Sequence, residues 1–150
     1  MVRKPEIEGP LRIEIDSILQ RSGKAYQENN LELSLKLGIE AWNIIPDPKS
    51  HWDYYPQSLS TSFVEDFSRL GKVSETKKWI NTVYEMYGDP DRQDHYTLMI
   101  EGSALYKLGL KEEAYDVFGR IYELYDRDGF KGEHLEYLEF YLKERAKRRG

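Results

Sequence analysis

Apolar residues recur along this chain at intervals of three and four, and the runs break at short turns around Asn29, Gly71 and Gly109. That interval is the period of an α-helix with one buried face. Repeated along a chain, it admits little except helices packed on helices. Leu31, Leu35, Ile39 and Trp42 form one row, with Leu33, Leu37 and Ile44 beside it, predicting a helix over about 31–45 that Pro46 stops. In "WINTVYEMYGDP", Trp79, Ile80, Val83, Tyr84 and Tyr87 share a face before Gly88 and Pro90 end the segment. Tyr115, Val117, Phe118, Ile121, Tyr122 and Tyr125 do the same ahead of "DRDG". Each run follows another helical stretch, over about 13–28, 58–70 and 95–108. A last run over about 133–148 holds Leu135, Leu138 and Leu142 in register beside Tyr137, Phe140 and Tyr141. "LRIEI" alternates like a strand only briefly and continues into Ile18 and Leu19 at helical spacing.

The members of each pair meet at "ENN" (28–30), "LGKV" (70–73) and "LGLK" (108–111). A glycine inside a helix costs about 1 kcal/mol relative to alanine, so Gly109 reads as the turn between two antiparallel helices, where glycine adopts a positive φ without strain. Gly71 takes the same part, and Asn29 or Asn30 takes it in the first pair. The expected fold is all-α, with hairpins over about 13–46, 57–88 and 95–126 and a capping helix over about 133–148 that covers the last apolar face. At 150 residues the chain has the size of one domain with its own core, so 1–150 is expected to be a single domain.

Function classes narrow by exclusion. No cysteine is present, which removes disulfides, thiolate metal sites and a cysteine nucleophile and fits a reducing compartment, so the expected location is the cytoplasm. "MVRKPEIEGP" has no apolar run after its bases, unlike a secretory signal, and no stretch approaches a membrane span. The net charge of -5 argues against general nucleic-acid binding. The tail "KERAKRRG" holds five bases and one acid, leaving the rest of the chain at -9. Such a tail fits RNA or anionic lipid, or simply the negative end of a terminal helix.

Catalytic chemistry finds no foothold. His51, His95 and His134 are far apart and form no HExxH-like pair, and no GxSxG elbow or glycine-rich phosphate loop is present. "DPDRQD" fails as a calcium loop: counted from Asp89, the turn glycine would be Asp94 and the twelfth-place glutamate Ile100. Asp94 is instead expected to cap the next helix. The expectation is a protein that is not an enzyme and holds no cofactor or metal.

Asn29, Gly71 and Gly109 lie 42 and 38 residues apart, near the period of about 34 of the tetratricopeptide repeat. The third hairpin resembles that repeat residue by residue. Leu98 stands at its large apolar place, Gly102 at its glycine, Gly109 at its turn, Ala114 at its alanine, and Phe118 falls four residues later at its aromatic place. Glycine and alanine suit a close helix crossing, with the ring of Phe118 filling the space beneath. The departures are Leu105 at the tyrosine place with Tyr106 beside it, Glu101 where leucine is preferred, and Asp126 where proline is. The first hairpin keeps the motif's tail, Ala41 and Pro46, with Ser34 and Gly38 replacing the first alanine and the aromatic; the second keeps Gly71 and the apolar spacing. The resemblance covers about residues 13–128 and implies a short right-handed superhelix.

It also implies the work: docking a protein or peptide partner in a concave groove lined by the first helix of each hairpin. By helical register that groove holds Tyr26 and Gln27, then Glu65 and Arg69, then Tyr96, Ser103, Tyr106 and Lys107. A second candidate is "HWDYYPQS" (51–58), a connection whose Trp52, Tyr54 and Tyr55 either form a binding edge or fold back over the first hairpin. The acidic body points to a basic partner, and an inhibitor or immunity protein against a basic toxin is one specific form. An adaptor or chaperone is another. The competing class is a homodimer or larger homo-oligomer joined through the aromatic C-terminal helix.

Overall fold

The computed structural model, which describes residues 3–150, turns the apolar periodicity into seven α-helices. They are α1 (Gly9–Gln27), α2 (Leu31–Ile44), α3 (Tyr55–Arg69), α4 (Val73–Tyr87), α5 (His95–Lys107), α6 (Lys111–Tyr125) and α7 (Leu135–Arg149). Short 3-10 turns occupy Lys49–His51, Asp126–Phe130 and Gly132–His134, and no strand occurs among the described residues. Helix α1 packs on α2, α3 on α4 and α5 on α6; α3 then touches both α2 and α5, α4 touches α5, and α7 closes on α6. The arrangement is three helical hairpins followed by one covering helix.

All three hairpin turns close in the same way. Asn29, Gly71 and Gly109 adopt φ of 63, 71 and 81°. In each case the following residue donates its N–H to the carbonyl five back: Asn30 to Ala25 at 2.8 Å, Lys72 to Phe67 at 3.0 Å and Leu110 to Leu105 at 3.0 Å. These bonds satisfy carbonyls that a helix end leaves without partners.

Two helices start earlier than the periodicity implies. Helix α1 begins at Gly9 rather than near 13, and α3 at Tyr55 rather than near 58. Pro10 and Pro56 sit in the first turn of their helices, where a missing N–H breaks no intrahelical bond and the fixed φ suits the helix. Helix α7 starts two residues later than expected, after the 3-10 turn ending at His134. Ahead of α1, the extended residues 3–8 form a strap. Ile7 is buried, Lys4 Nζ donates to the Met86 carbonyl at 3.0 Å, and the Pro5 carbonyl accepts from Asp53 N–H at 2.8 Å.

Aromatic rings fill the interior between units. Trp42 of α2, Phe63 of α3 and Trp79 of α4 meet with centroids 4.6–6.2 Å apart, joining the first two hairpins. Gly38 makes room for this cluster, because a Cβ there would lie 2.8 Å from Phe63 Cε1. At the other end Phe118 is fully buried, and its ring lies 2.5 Å from where a Gly102 Cβ would be.

The α4–α5 link is ordered by Asp89. Its carboxylate accepts from Gln93 N–H and Asp94 N–H, both at 3.0 Å, and from Thr97 Oγ1 at 2.7 Å, while Asp94 caps α5 through Tyr96 N–H. Partial burial alone would raise the Asp89 pKa, but these donors and Arg92 outweigh it and hold the carboxyl below its ordinary value of 3.8. A carboxyl depressed by folding adds stability that is complete above the unfolded pKa and is lost as pH falls through the folded one. Asp89→Asn is therefore expected to cost about 1 kcal/mol at pH 7, a difference from wild type that shrinks below about pH 4. Urea melts at pH 7 and pH 3 check it.

Candidate binding groove

The first helices of the hairpins, α1, α3 and α5, line two adjoining clefts on one side of the molecule. The first, about 420 Å³, lies between α1 and α3 and is bordered by Tyr26, Gln27, Gly38, Asp66 and Arg69. The second, about 430 Å³, lies between α3 and α5, with Val64, Tyr96, Met99, Ser103 and Lys107 on its walls. Glu65 borders both, so the two adjoin there. His134, just ahead of α7, and Tyr137, in its first turn, also line the second cleft.

Of the residues that register placed in a groove, Tyr26, Gln27, Glu65 and Arg69 border the first cleft, and Glu65, Tyr96, Ser103 and Lys107 the second. Tyr26 and Tyr96 are 44% and 50% exposed, enough for either ring to meet a partner. Arg69 crosses from α3 to α1, donating to the Tyr26 hydroxyl and lying 5.8 Å from that ring's centroid. Ser103 is partly buried and its Oγ donates to the Met99 carbonyl at 2.7 Å, so it contributes a small surface rather than a free hydroxyl.

Tyr106 belongs elsewhere. Its ring packs on Tyr137 and Phe140 of α7, at 5.3 and 5.1 Å, and Lys111 Nζ sits 3.2 Å from its centroid. Register alone cannot show this, because the competing surface arrives with α7. The 51–58 segment also differs from a simple connection, since residues 55–58 are the first turn of α3. Tyr55 is buried and donates to Asp16 Oδ1, and burial, reinforced by Asp16, pushes its hydroxyl pKa up. Trp52 is half-buried with Nε1 donating to the Pro46 carbonyl at 3.0 Å, so these two rings fold back. Tyr54 alone of the three projects outward, 63% exposed.

The conformation of Tyr54 is unusual. Its φ of 72° and ψ of -70°, with Tyr55 N–H donating to the Asp53 carbonyl at 3.0 Å, define the rare γ-turn with positive φ. Such a backbone costs on the order of 1–3 kcal/mol and persists only when its surroundings impose it. Here the strap holds Asp53 from one side, and Gln57 Oε1 accepts Tyr54 N–H at 3.2 Å on the other.

Electrostatically the groove is mixed with an acidic excess: Glu65, Asp66 and Glu133 against Arg69 and Lys107. Burial raises the Asp66 pKa, with Arg69 opposing, and burial also pushes the Tyr137 hydroxyl up. The histidines do not converge. His51 lies edge-on to Trp52, His95 Nε2 donates to the Gly129 carbonyl at 2.7 Å, and His134 stacks on Tyr137. Among the described residues no three acidic or imidazole side chains form a metal-binding group, and no helix is long and apolar enough to cross a membrane.

Two of the five bases of the tail lie on aromatic rings of the molecule itself. Arg145 lies over Tyr122 and Tyr141, at 5.0 and 5.6 Å, and Arg148 over Tyr115 at 3.9 Å and 3.8 Å from Glu112. The rings of α7 are similarly occupied, with Tyr137 stacked on Phe118 and Tyr141 on Tyr115, each at 5.1 Å. Comparison with known proteins gives no matching family model, no matching curated protein and no matching solved structure.

Register could have reached further than it did. Met99 and Ile100 share the face of α5 with Tyr96 and Ser103, and Thr61 and Ser68 share that of α3 with Glu65. His134 and Tyr137 had no such signal.

Proposed function

We propose that this is a tetratricopeptide-like docking module of the cytoplasm that holds a segment of one protein partner in the groove of α1, α3 and α5, and that it is not an enzyme. The observation that carries the reading is the pair of clefts on the first helices of the hairpins, adjoining at Glu65 and bordered by the exposed rings of Tyr26 and Tyr96. Tyrosine offers large contact area at low entropic cost, as recognition surfaces need. The acidic excess favours a basic partner, and an inhibitor that neutralises a basic toxin fits it as well as an adaptor or chaperone does. Assembly through α7 has less support, because its aromatic face lies on α5 and α6.

Affinity capture from the native host lysate at low and moderate salt tests the groove, comparing wild type with Tyr26→Ala and Ser103→Arg variants that melt cooperatively. A single recovered protein whose affinity drops by about 30-fold in Ser103→Arg is the expected result, the loss typical of a blocked interface centre. Equal recovery by both variants would place docking elsewhere. An inhibitor further requires one-to-one binding whose on-rate falls steeply with salt.

A further inference from the structure

Much of this molecule's tyrosine is matched with its own cations. Arg69 lies over Tyr26, Arg92 over Tyr84, Lys111 over Tyr106, Arg148 over Tyr115, and Arg145 over Tyr122 and Tyr141, at 3.2–5.8 Å from the ring centroids. Six of the twelve tyrosines therefore carry a resident cation.

One cluster of rings has none. Tyr54, Tyr87 and Tyr96 line a shallow depression of about 390 Å³ beside the second cleft, which it meets at Thr61 and Tyr96. Tyr87 and Tyr96 form two tilted walls, with centroids 5.4 Å apart at 54°. The remaining lining is Asp53 and short hydroxyl or amide side chains, with no lysine or arginine among them. A ring face is electronegative, so rings that share a depression with a carboxylate and no base favour a cation over an anion. Tyr54 is delivered to this place by the strained γ-turn that the strap and Gln57 enforce, and strain of this kind gathers at ligand clamps.

We propose that the Tyr54, Tyr87 and Tyr96 depression receives one cationic side chain, arginine or lysine, of the partner docked in the groove. The inference rests on the groove reading and adds its chemistry: the partner carries a base at the point where it passes Tyr96. Asp53 supplies the countercharge and the rings supply the faces.

The test is a titration followed by backbone amide NMR, using N-acetyl-arginine amide and its uncharged isostere N-acetyl-citrulline amide. The charged probe is expected to shift Tyr54, Thr61 and Tyr96 saturably, with the isostere about tenfold weaker. Tyr96→Leu, at an exposed site on α5, is expected to weaken the charged probe about tenfold, whereas Tyr96→Phe keeps it because the ring face remains. Asp53→Asn should weaken it severalfold and flatten its salt dependence. Equal binding of the two probes, or shifts confined to other surfaces, overturns the proposal. A partner that depends on Ser103 but is indifferent to Tyr96→Leu also overturns it while leaving groove docking intact. An arginine probe seated at Tyr96, with every captured partner indifferent to Ser103→Arg, supports the depression and sinks the groove.

Discussion

Replacing Phe118 with alanine is expected to lower the unfolding free energy by about 4 kcal/mol, against a total of about 5–15 kcal/mol for a domain of this kind. The side chain is fully buried, beneath Gly102 and against the rings of Tyr106, Phe130, Tyr137 and Phe140 at 5.1–6.4 Å. Truncation removes its transfer energy and leaves a cavity walled by rings that are themselves packed on α5, α6 and α7, so little can collapse into it. The damage should concentrate on α7, which reaches the third hairpin through Tyr137 and Phe140. Amide exchange in 135–142 should therefore accelerate more than in α1 or α2. Because Tyr137 also lines the second cleft, affinity for a partner docked there should fall even where the variant remains folded. Gly102 supplies the internal control. Gly102→Ala alone places a methyl 2.5 Å from the Phe118 ring and is expected to cost about 1–2 kcal/mol. In the Phe118→Ala background that methyl enters the cavity, and the helix preference for alanine over glycine, about 1 kcal/mol, should make it neutral or stabilising. Urea melts of the four proteins give the coupling directly; additive losses would mean that the ring and the glycine do not share this space.

That pair was legible in the sequence through its resemblance to the repeat, whose glycine and aromatic places reflect how severely a close helix approach restricts residue choice. Gly102 and Phe118 on adjacent helices, like Asn29, Gly71 and Gly109 at the turns, belong to positions where few side chains fit. The helix starts were less legible. Proline reads as a stop, yet Pro10 and Pro56 lie inside first turns. The strap was invisible because a single buried Ile7 in an extended segment has no period to detect. In the groove, periodicity orients α1, α3 and α5 but cannot report what arrives from distant sequence. Tyr106 shares a helix with Tyr96 and Ser103, and its ring was claimed by α7. The tail's bases read as free for RNA or lipid or as suited to the negative end of a terminal helix, and spacing did not show that Arg145 and Arg148 lie on the rings of α6 and α7. Both features have one source: helix α7 returns over the third hairpin and brings together side chains that local spacing cannot relate.

Glu101, which departs from the leucine of the resembling repeat, makes the second large prediction. Glu101→Ala is expected to cost about 2–3 kcal/mol, although alanine is itself the best helix former. Its carboxylate accepts from Tyr84 Oη at 2.8 Å and from Arg92 Nη1 at 3.0 Å, while Arg92 Nη2 donates to Asn81 Oδ1 at 2.7 Å and the guanidinium lies 4.2 Å from the Tyr84 centroid. Burial and then the Glu101 charge push the Tyr84 pKa up, so the hydroxyl remains a donor above its ordinary value of 10. The glutamate side chain is only 14% exposed and the arginine 41%, so the pair lies between a surface bridge and a buried one. Removing the acid leaves a buried hydroxyl and half-buried cation without their acceptor, which costs more than the bond itself contributes. Arg92→Ala should cost less, about 1 kcal/mol, since the acid it abandons keeps Tyr84, and the double variant should fall well short of the sum. Glu101 is about 160° around α5 from Ser103, so the network fastens the back of α5 to α4 while its front lines the groove. Glu101→Gln, which keeps an acceptor, should recover about half of the lost stability. If Glu101→Ala melts like wild type, α5 is held by its apolar contacts alone and the polar network is incidental to where the groove sits.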